Sequence, residues 1–218
     1  MKFLEVIKLG AVAGAFALAA TTADAVTVKF YDTTSGGDTL IDTQVGVLTG
    51  SAVGGYTASV ITTFTGDYPP LDFMSSTLNL NTCTGNETTC SARIEVSHQF
   101  DAGLIPTNPA LGESSASNNF DLFTGSVQTD VYLASSLFGQ DTLLSSAVGV
   151  LTSDKDTVSF DPTDYFITYV FSVSGGSTKS HTANAEWAAP LNVPVPAGIL
   201  LMGTAIAGFG VMRRRKLR

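Results

Sequence analysis

Few of the residues that carry catalysis are present. The 218-residue chain holds two cysteines, two histidines and one tryptophan. Cys83 and Cys90 are separated by six residues with no histidine nearby, a poor spacing for zinc. No Gly-x-Ser-x-Gly elbow, His-Glu-x-x-His or phosphate-cradling glycine loop occurs. Basic residues are scarce where they would matter for nucleic acid. Seventeen of the 19 acidic residues but only four of the 11 basic ones fall in residues 26–192, a net charge of −13 for that stretch. A segment so acidic repels phosphate backbones, so nucleic acid is excluded as a partner. Long helical heptads are missing, and no repeat of fixed period stands out.

What is present is Thr, Ser, Gly, Asp, Val and Phe, a composition suited to pleated, half-buried strands joined by turns. Strands are expected at 26–31, 39–48 (closed by Gly50), 56–64, 71–80, 92–100, one or two across 120–134 with a break near Gly125, 143–151, 157–160 and 165–173. Ala92, Ile94, Val96 and His98 alternate onto one face. Residues 101–119, with two prolines and two glycines, read as a loop or a loop around a weak strand, and 153–156 as a turn. Ser174-Gly-Gly-Ser177 reads as a hairpin into a last strand at 178–188. Many short strands with turn signals every 8 to 12 residues predict an all-β ectodomain, a β-sandwich of jelly-roll-like character.

Both ends carry membrane signals. Lys2 and Lys8 precede an apolar stretch at 9–20, and Ala23-Asp24-Ala25 then forms an A-x-A cleavage site with Val26 as first mature residue. That is a secretory signal peptide over 1–25, to be handled by the secretory translocon and signal peptidase. At the other end an uncharged stretch at 197–212 is followed by a basic tail at 213–218 containing Arg213, Arg214, Arg215, Lys216 and Arg218. Sixteen helical residues span roughly 24 Å, a little short of the roughly 30 Å hydrocarbon core. Snorkelling cations make up part of the difference. A buried core helix is the alternative for that length, but the cluster of cations favours one transmembrane helix, with the C-terminus in the cytoplasm and the bulk outside. The exported domain is then 26–192. Just ahead of the helix, Pro194 and Pro196 hold the chain extended, as a processing enzyme requires.

Val193, Pro194, Val195, Pro196 and Ala197, followed by a short apolar helix and an arginine cluster, resemble the VPLPA-type variant of the PEP-CTERM sorting signal of Gram-negative bacteria. Val195 stands where that motif usually has Leu. The resemblance implies an exosortase-like transpeptidase acting near 193–197. The protein would be held in the inner membrane by a single helix and then reach the cell surface or extracellular matrix. It also implies a non-catalytic envelope role near exopolysaccharide, with no cofactor and no catalytic residue.

In an exported protein Cys83 and Cys90 are expected to form a disulfide around a small polar loop. Asp154, Asp156, Asp161 and Asp164 could offer carboxylate oxygens to calcium, although turn aspartates bonding to backbone explain them equally well. His98 reads as a core or interface histidine, with a hydrolase built around it as the alternative. His181, on a polar strand, reads as exposed. Trp187 anchors the last strand in the core, sits near the membrane interface, or stacks on a sugar, as a carbohydrate-binding module would use it.

Overall fold

The computed structural model describes residues 25–64, 71–81, 83, 90–100, 110–120, 123–160, 165–176 and 180–190. Within them run β1 (Thr27–Asp32), β2 (Thr39–Val45), β3 (Leu48–Val53), β4 (Tyr56–Phe64), β5 (Leu71–Leu80), β6 (Ser91–Phe100), β7 (Ala110–Asn119), β8 (Thr124–Ala134), β9 (Thr142–Val148), β10 (Leu151–Phe160), β11 (Tyr165–Gly176) and β12 (His181–Pro190). They form two six-stranded antiparallel sheets. Sheet A has the order β2-β1-β6-β11-β8-β9 and sheet B the order β10-β7-β12-β5-β4-β3. The expected all-β sandwich is the fold. Among the described residues no helix is long and apolar enough to cross a membrane. The expected sorting motif at 193–197, the apolar stretch at 197–212, the basic tail at 213–218 and Ala23 lie outside the described residues. Ala25 is exposed, whereas Val26 is buried and its carbonyl accepts a bond from the Gly46 amide at 2.9 Å.

The core follows from alternation. Large inward side chains of sheet A, among them Phe30, Ile94, Tyr169 and Phe171, meet small ones of sheet B such as Ala58, Ser76, Ala116, Ala183 and Ala185, all buried. Interdigitation of large and small residues lets two sheets pack about 10 Å apart without voids. Trp187 is fully buried at one end of this layer, in edge contact with Phe160 (5.4 Å) and Tyr165 (6.1 Å), and its Nε1 donates to the Tyr165 hydroxyl at 3.2 Å. It is the core anchor rather than a sugar platform. Gly112 on β7 makes room for it: a Cβ there would lie 2.0 Å from the indole ring. Two tyrosine hydroxyls bolt the sheets together, Tyr169 to the Met74 carbonyl at 2.6 Å and Tyr56 to the Gly175 carbonyl. Cys83 and Cys90 are joined as expected, with Cα atoms 6.2 Å apart. Closing so short a loop contributes about 2–3 kcal/mol by the chain-entropy account.

Four sequence expectations need correction. The single strand expected at 39–48 is two strands, because the chain turns at Gly46 and passes from sheet A to sheet B. Likewise the turn expected at 153–156 is strand β10, paired with β7 from Leu151↔Asn119 to Phe160↔Ala110; the turn lies at Gly149. Residues 110–119 are not a weak strand in a loop but β7, held between β10 and β12. Their small side chains suit a position beneath Trp187. Finally, Ser174-Gly-Gly-Ser177 does not make a hairpin: β11 pairs with β6 and β8 in sheet A, while β12 pairs with β5 and β7 in sheet B.

The topology also exposes a duplication. Residues 36–49 (GGDTLIDTQVGVLT) and 139–152 (GQDTLLSSAVGVLT) match at nine of fourteen positions, 103 residues apart. Each covers an edge strand of sheet A and the crossing into the edge strand of sheet B. The crossings are built alike. Gly46 and Gly149 have φ of 141° and 112°, a region that favours glycine. Their amides donate at 2.9 Å to Val26 and Val127, and the carbonyls of Val47 and Val150 accept from Thr62 (2.7 Å) and Phe120 (2.8 Å). Both preceding hairpins carry a register shift at the same place, Phe30/Tyr31 and Val131/Tyr132. Each sheet's strand order maps onto itself when read from the opposite end, β2 onto β9, β1 onto β8 and β3 onto β10. The centres are the antiparallel pairs β6/β11 and β5/β12. The chain is thus arranged about an internal two-fold.

Two outcomes test this account. Gly112→Ala drives a methyl into the buried indole, an overpacking that is expected to cost about 1–3 kcal/mol in denaturant unfolding. Burial pushes the Tyr56 phenol up to about 12 and that of Tyr169 well above the usual range. Unfolded tyrosine ionises near pH 10, so the stability these groups contribute is intact below pH 10 and is lost as pH rises toward 12. The melting temperature should fall across that window, and less steeply in Tyr56→Phe.

Candidate binding face

Successive residues of a strand point to opposite faces, so every strand of sheet A presents a second, outward row. Pairing places Thr43, Lys29, Glu95, Val170, Asp130 and Ser146 in one line across the sheet. The next line holds Leu40, Tyr31, Arg93, Ser172, Gln128 and Val148. The one beyond it contains Ser91, Ser174 and Ser126. This face carries charged and hydrogen-bonding groups through strands whose inner faces are mostly apolar.

Its charged groups are fixed by one another. The Arg93 guanidinium lies over the Tyr31 ring at 4.7 Å and forms ion pairs with Asp38 (2.6 Å) and Glu95 (3.1 Å). Glu95 is buried, and its Oε1 also accepts from Gln140 Nε2 at 3.1 Å. Asp130, buried too, accepts from Gln128 Nε2 (3.0 and 2.8 Å), from the Ser146 hydroxyl (2.6 Å) and from the Tyr132 hydroxyl (3.3 Å). Buried carboxylates survive in folded proteins when several donors satisfy them, and both of these are so held. Burial raises the Tyr31 phenol, the nearby Glu95 charge adds to that, and Arg93 opposes it. Tyr132 is raised by burial and then by Asp130. Both tyrosines remain neutral donors at ordinary pH.

The segment 135–141 covers part of the face. Asp141 Oδ2 closes it by accepting from the Ser135 amide (2.7 Å) and hydroxyl (2.6 Å), bonds that lower its own carboxyl pKa. At its tip Phe138 takes φ 62°, rare for a bulky side chain. Its amide donates to Ser97 Oγ at 3.2 Å and its ring lies under Lys29 Nζ at 4.0 Å. Ser97 and Thr168, bonded to each other at 3.1 Å, are buried beneath. Beyond this flap the face opens into a cavity of about 330 Å³, lined by Asp38, Ser91, Arg93, Ser126, Gln128, Ser172 and Ser174 among others. Hydroxyl, amide and guanidinium groups from β6, β8 and β11 converge there. Strand spacing sets them about 4.8 Å apart across the sheet. Chemically this is a surface for recognition by hydrogen bonds.

The residues singled out from sequence fall elsewhere. His98 is buried on the inward face of β6, against Phe64 (4.8 Å) and Phe100 (4.7 Å). That is the expected core histidine, and it removes the centre of the hydrolase alternative. His181, expected to be exposed, is buried, with its ring stacked on Phe120 at 5.0 Å. Because β12 lies at the middle of sheet B, its inward side chains have no route to solvent. Asp154 accepts from the Ser146 amide at 2.8 Å and Asp156 from the Thr157 amide at 2.7 Å. The backbone-bonding explanation fits these two; Asp161 and Asp164 lie outside the described residues. No group of three potential metal ligands comes together among the described residues. Missed altogether were Lys29, Arg93, Glu95, Gln128 and Asp130. The legible signal was a charge set inside an apolar strand, as in Ala92-Arg-Ile-Glu-Val96.

No family model matches the sequence, and no curated protein matches it. Among solved structures, the chain is similar to an epithelial adhesin A domain from Candida glabrata in complex with Galb1-3GlcNAc. The identity is 10%, over 73% of this chain and 77% of that one, with a TM-score of 0.36. It is also similar to the mannan-recognising carbohydrate-binding module TmCBM27, at 11% identity over 61% and 89% of the chains, TM-score 0.28. A third is the C-terminal CBM6 of a laminarinase from Zobellia galactanivorans, at 12% identity over 60% and 98%, TM-score 0.27. Likenesses this distant assign no role to any residue here.

Proposed function

We propose that the protein is an exported, non-catalytic surface module that binds a carbohydrate on the outward face of sheet A. The observation that carries the reading is the open cavity beside Arg93, where serine hydroxyls, the Gln128 amide and a fixed guanidinium converge from adjacent strands. A sugar offers alternating donors and acceptors at similar spacing, and ligand sites place a few polar groups in a preformed concavity. Tyr31 and Tyr132 flank this face with half-buried rings that a sugar can rest against. The signal peptide, the apolar stretch at 197–212 and the motif at 193–197 supply the address: passage through the secretory translocon, tethering in the inner membrane and cleavage by an exosortase-like enzyme. Exopolysaccharide is then the ligand within reach.

Retention of the mature protein on immobilised polysaccharides tests the binding site. Ser172→Gln, which fills the cavity floor, should reduce retention tenfold or more. Ser117→Gln, on the outward face of sheet B, should leave it unchanged; equal retention of the two variants overturns the site. Intact mass of the protein from membrane and medium fractions tests the address. The expected C-terminus lies within 193–197, and a membrane-held chain still ending at Arg218 refutes processing.

A further inference from the structure

The duplicated segments end on the two lateral edges of the sandwich, and each edge exposes aliphatic side chains around its crossing. On one, Val45 (64% exposed), Val47 (52%), Leu48 (70%) and Ile61 (48%) wrap around the crossing from β2 to β3. On the other, Val148 (63%) and Leu151 (62%) occupy the positions equivalent to Val45 and Leu48, around the crossing from β9 to β10. Aliphatic side chains so exposed are normal singly, but here four are clustered at one edge and the Val–Leu pair among them recurs at the other.

The hydrogen-bonding groups of these edges are partly capped from within. The Gln44 side chain bonds both the amide (3.0 Å) and the carbonyl (2.7 Å) of Gly50 on β3. At the opposite edge Asp154 takes the Ser146 amide of β9. Asn118 spans the same crossing, donating to the Ala147 (2.8 Å) and Gly149 (3.0 Å) carbonyls. Such capping opposes indiscriminate strand addition, which edge strands otherwise invite. The apolar side chains are what remain available for contact.

We propose that these two edges are docking surfaces for further copies of the same chain, so that the protein assembles side by side into open rows. Two features point to a copy as the occupant. First, the internal two-fold makes each molecule offer the same exposed valine–leucine pair in two opposite directions, so a contact made through that pair is available again on the far side. Assembly then does not close. Second, the matching pair at each edge is aliphatic, Val45 with Leu48 and Val148 with Leu151, each 62–70% exposed, so either edge offers apolar side chains that the same edge or the other edge of a second copy can cover. No lysine or arginine belongs to either cluster. The acidic domains repel one another through the rest of their surface, so added salt should strengthen the rows. This inference does not rest on the carbohydrate reading.

Sedimentation of the mature protein recovered from cells, over a range of concentrations in 0.15 M and 1 M salt, tests it. The expected result is a mass that grows past the dimer with concentration and grows further at high salt. Blocking one edge with Val45→Lys and Leu48→Lys should leave dimers if like edges pair, and monomers if unlike edges pair. Adding Val148→Lys and Leu151→Lys should leave monomers in either case. All four positions are exposed, so melting temperatures should stay close to the parent's. If the lysines perturb folding, Val→Thr and Leu→Gln replacements serve the same comparison. Ser172→Gln should assemble like the parent, which separates rows held by the edges from rows bridged by glycan. A parent protein that stays monomeric up to millimolar concentration overturns the proposal, as does a folded four-site variant that assembles undiminished.

Discussion

Everything in this molecule depends on closing two sheets over one apolar layer. Strands present alternate residues to opposite faces, so half of every strand must find a partner surface or remain exposed to water. Here both sheets supply bulk, Phe30, Tyr169 and Phe171 from sheet A and Met74, Leu78 and Trp187 from sheet B, with Trp187 sunk into the space that Gly112 leaves. The tyrosine hydroxyls of Tyr56 and Tyr169 then find backbone carbonyls across the layer, which satisfies polar groups that the core could not otherwise hold.

With the inward faces committed to packing, the outward faces carry whatever the molecule recognises. On sheet A that surface is rigid because its charges are mutually constrained. Arg93 is fixed between Tyr31, Asp38 and Glu95, and Asp130 is held by Gln128, Tyr132 and Ser146. Groups held in this way lose little entropy when a ligand arrives, which favours binding to a preformed face. The 135–141 flap lies over another part of the same face, where the Phe138 amide bonds Ser97 of the buried Ser97–Thr168 pair.

The lateral edges repeat one solution. A glycine with positive φ lets the chain leave one sheet and enter the other within two residues, and side-chain amides near each crossing tie it down. The preceding hairpins share a register shift, so Tyr31 and Tyr132 are equivalent residues facing the same side of sheet A. The halves have diverged where the face does its work: Lys29 occupies the place taken by Asp130 in the other half.

The linear sequence determined the class of fold and several strands outright. Residues 56–64 and 71–80 were readable to the residue, because alternation and flanking turns are local properties. The core placement of His98 and the Cys83–Cys90 pairing were likewise legible, from strand alternation and from the short separation of the two cysteines. Only the tertiary structure decided which strands are neighbours. The Gly-Gly that ends β11 reads locally as a hairpin turn, yet β11 and β12 belong to different sheets. Polar β10 and small-residue β7 looked like turn and loop because their stability comes from long-range partners. His181 looked solvent-facing because its strand is polar on the other side. The outward polar face of sheet A and the duplicated edges were hidden for one reason: both exist only once strands far apart in sequence are laid side by side.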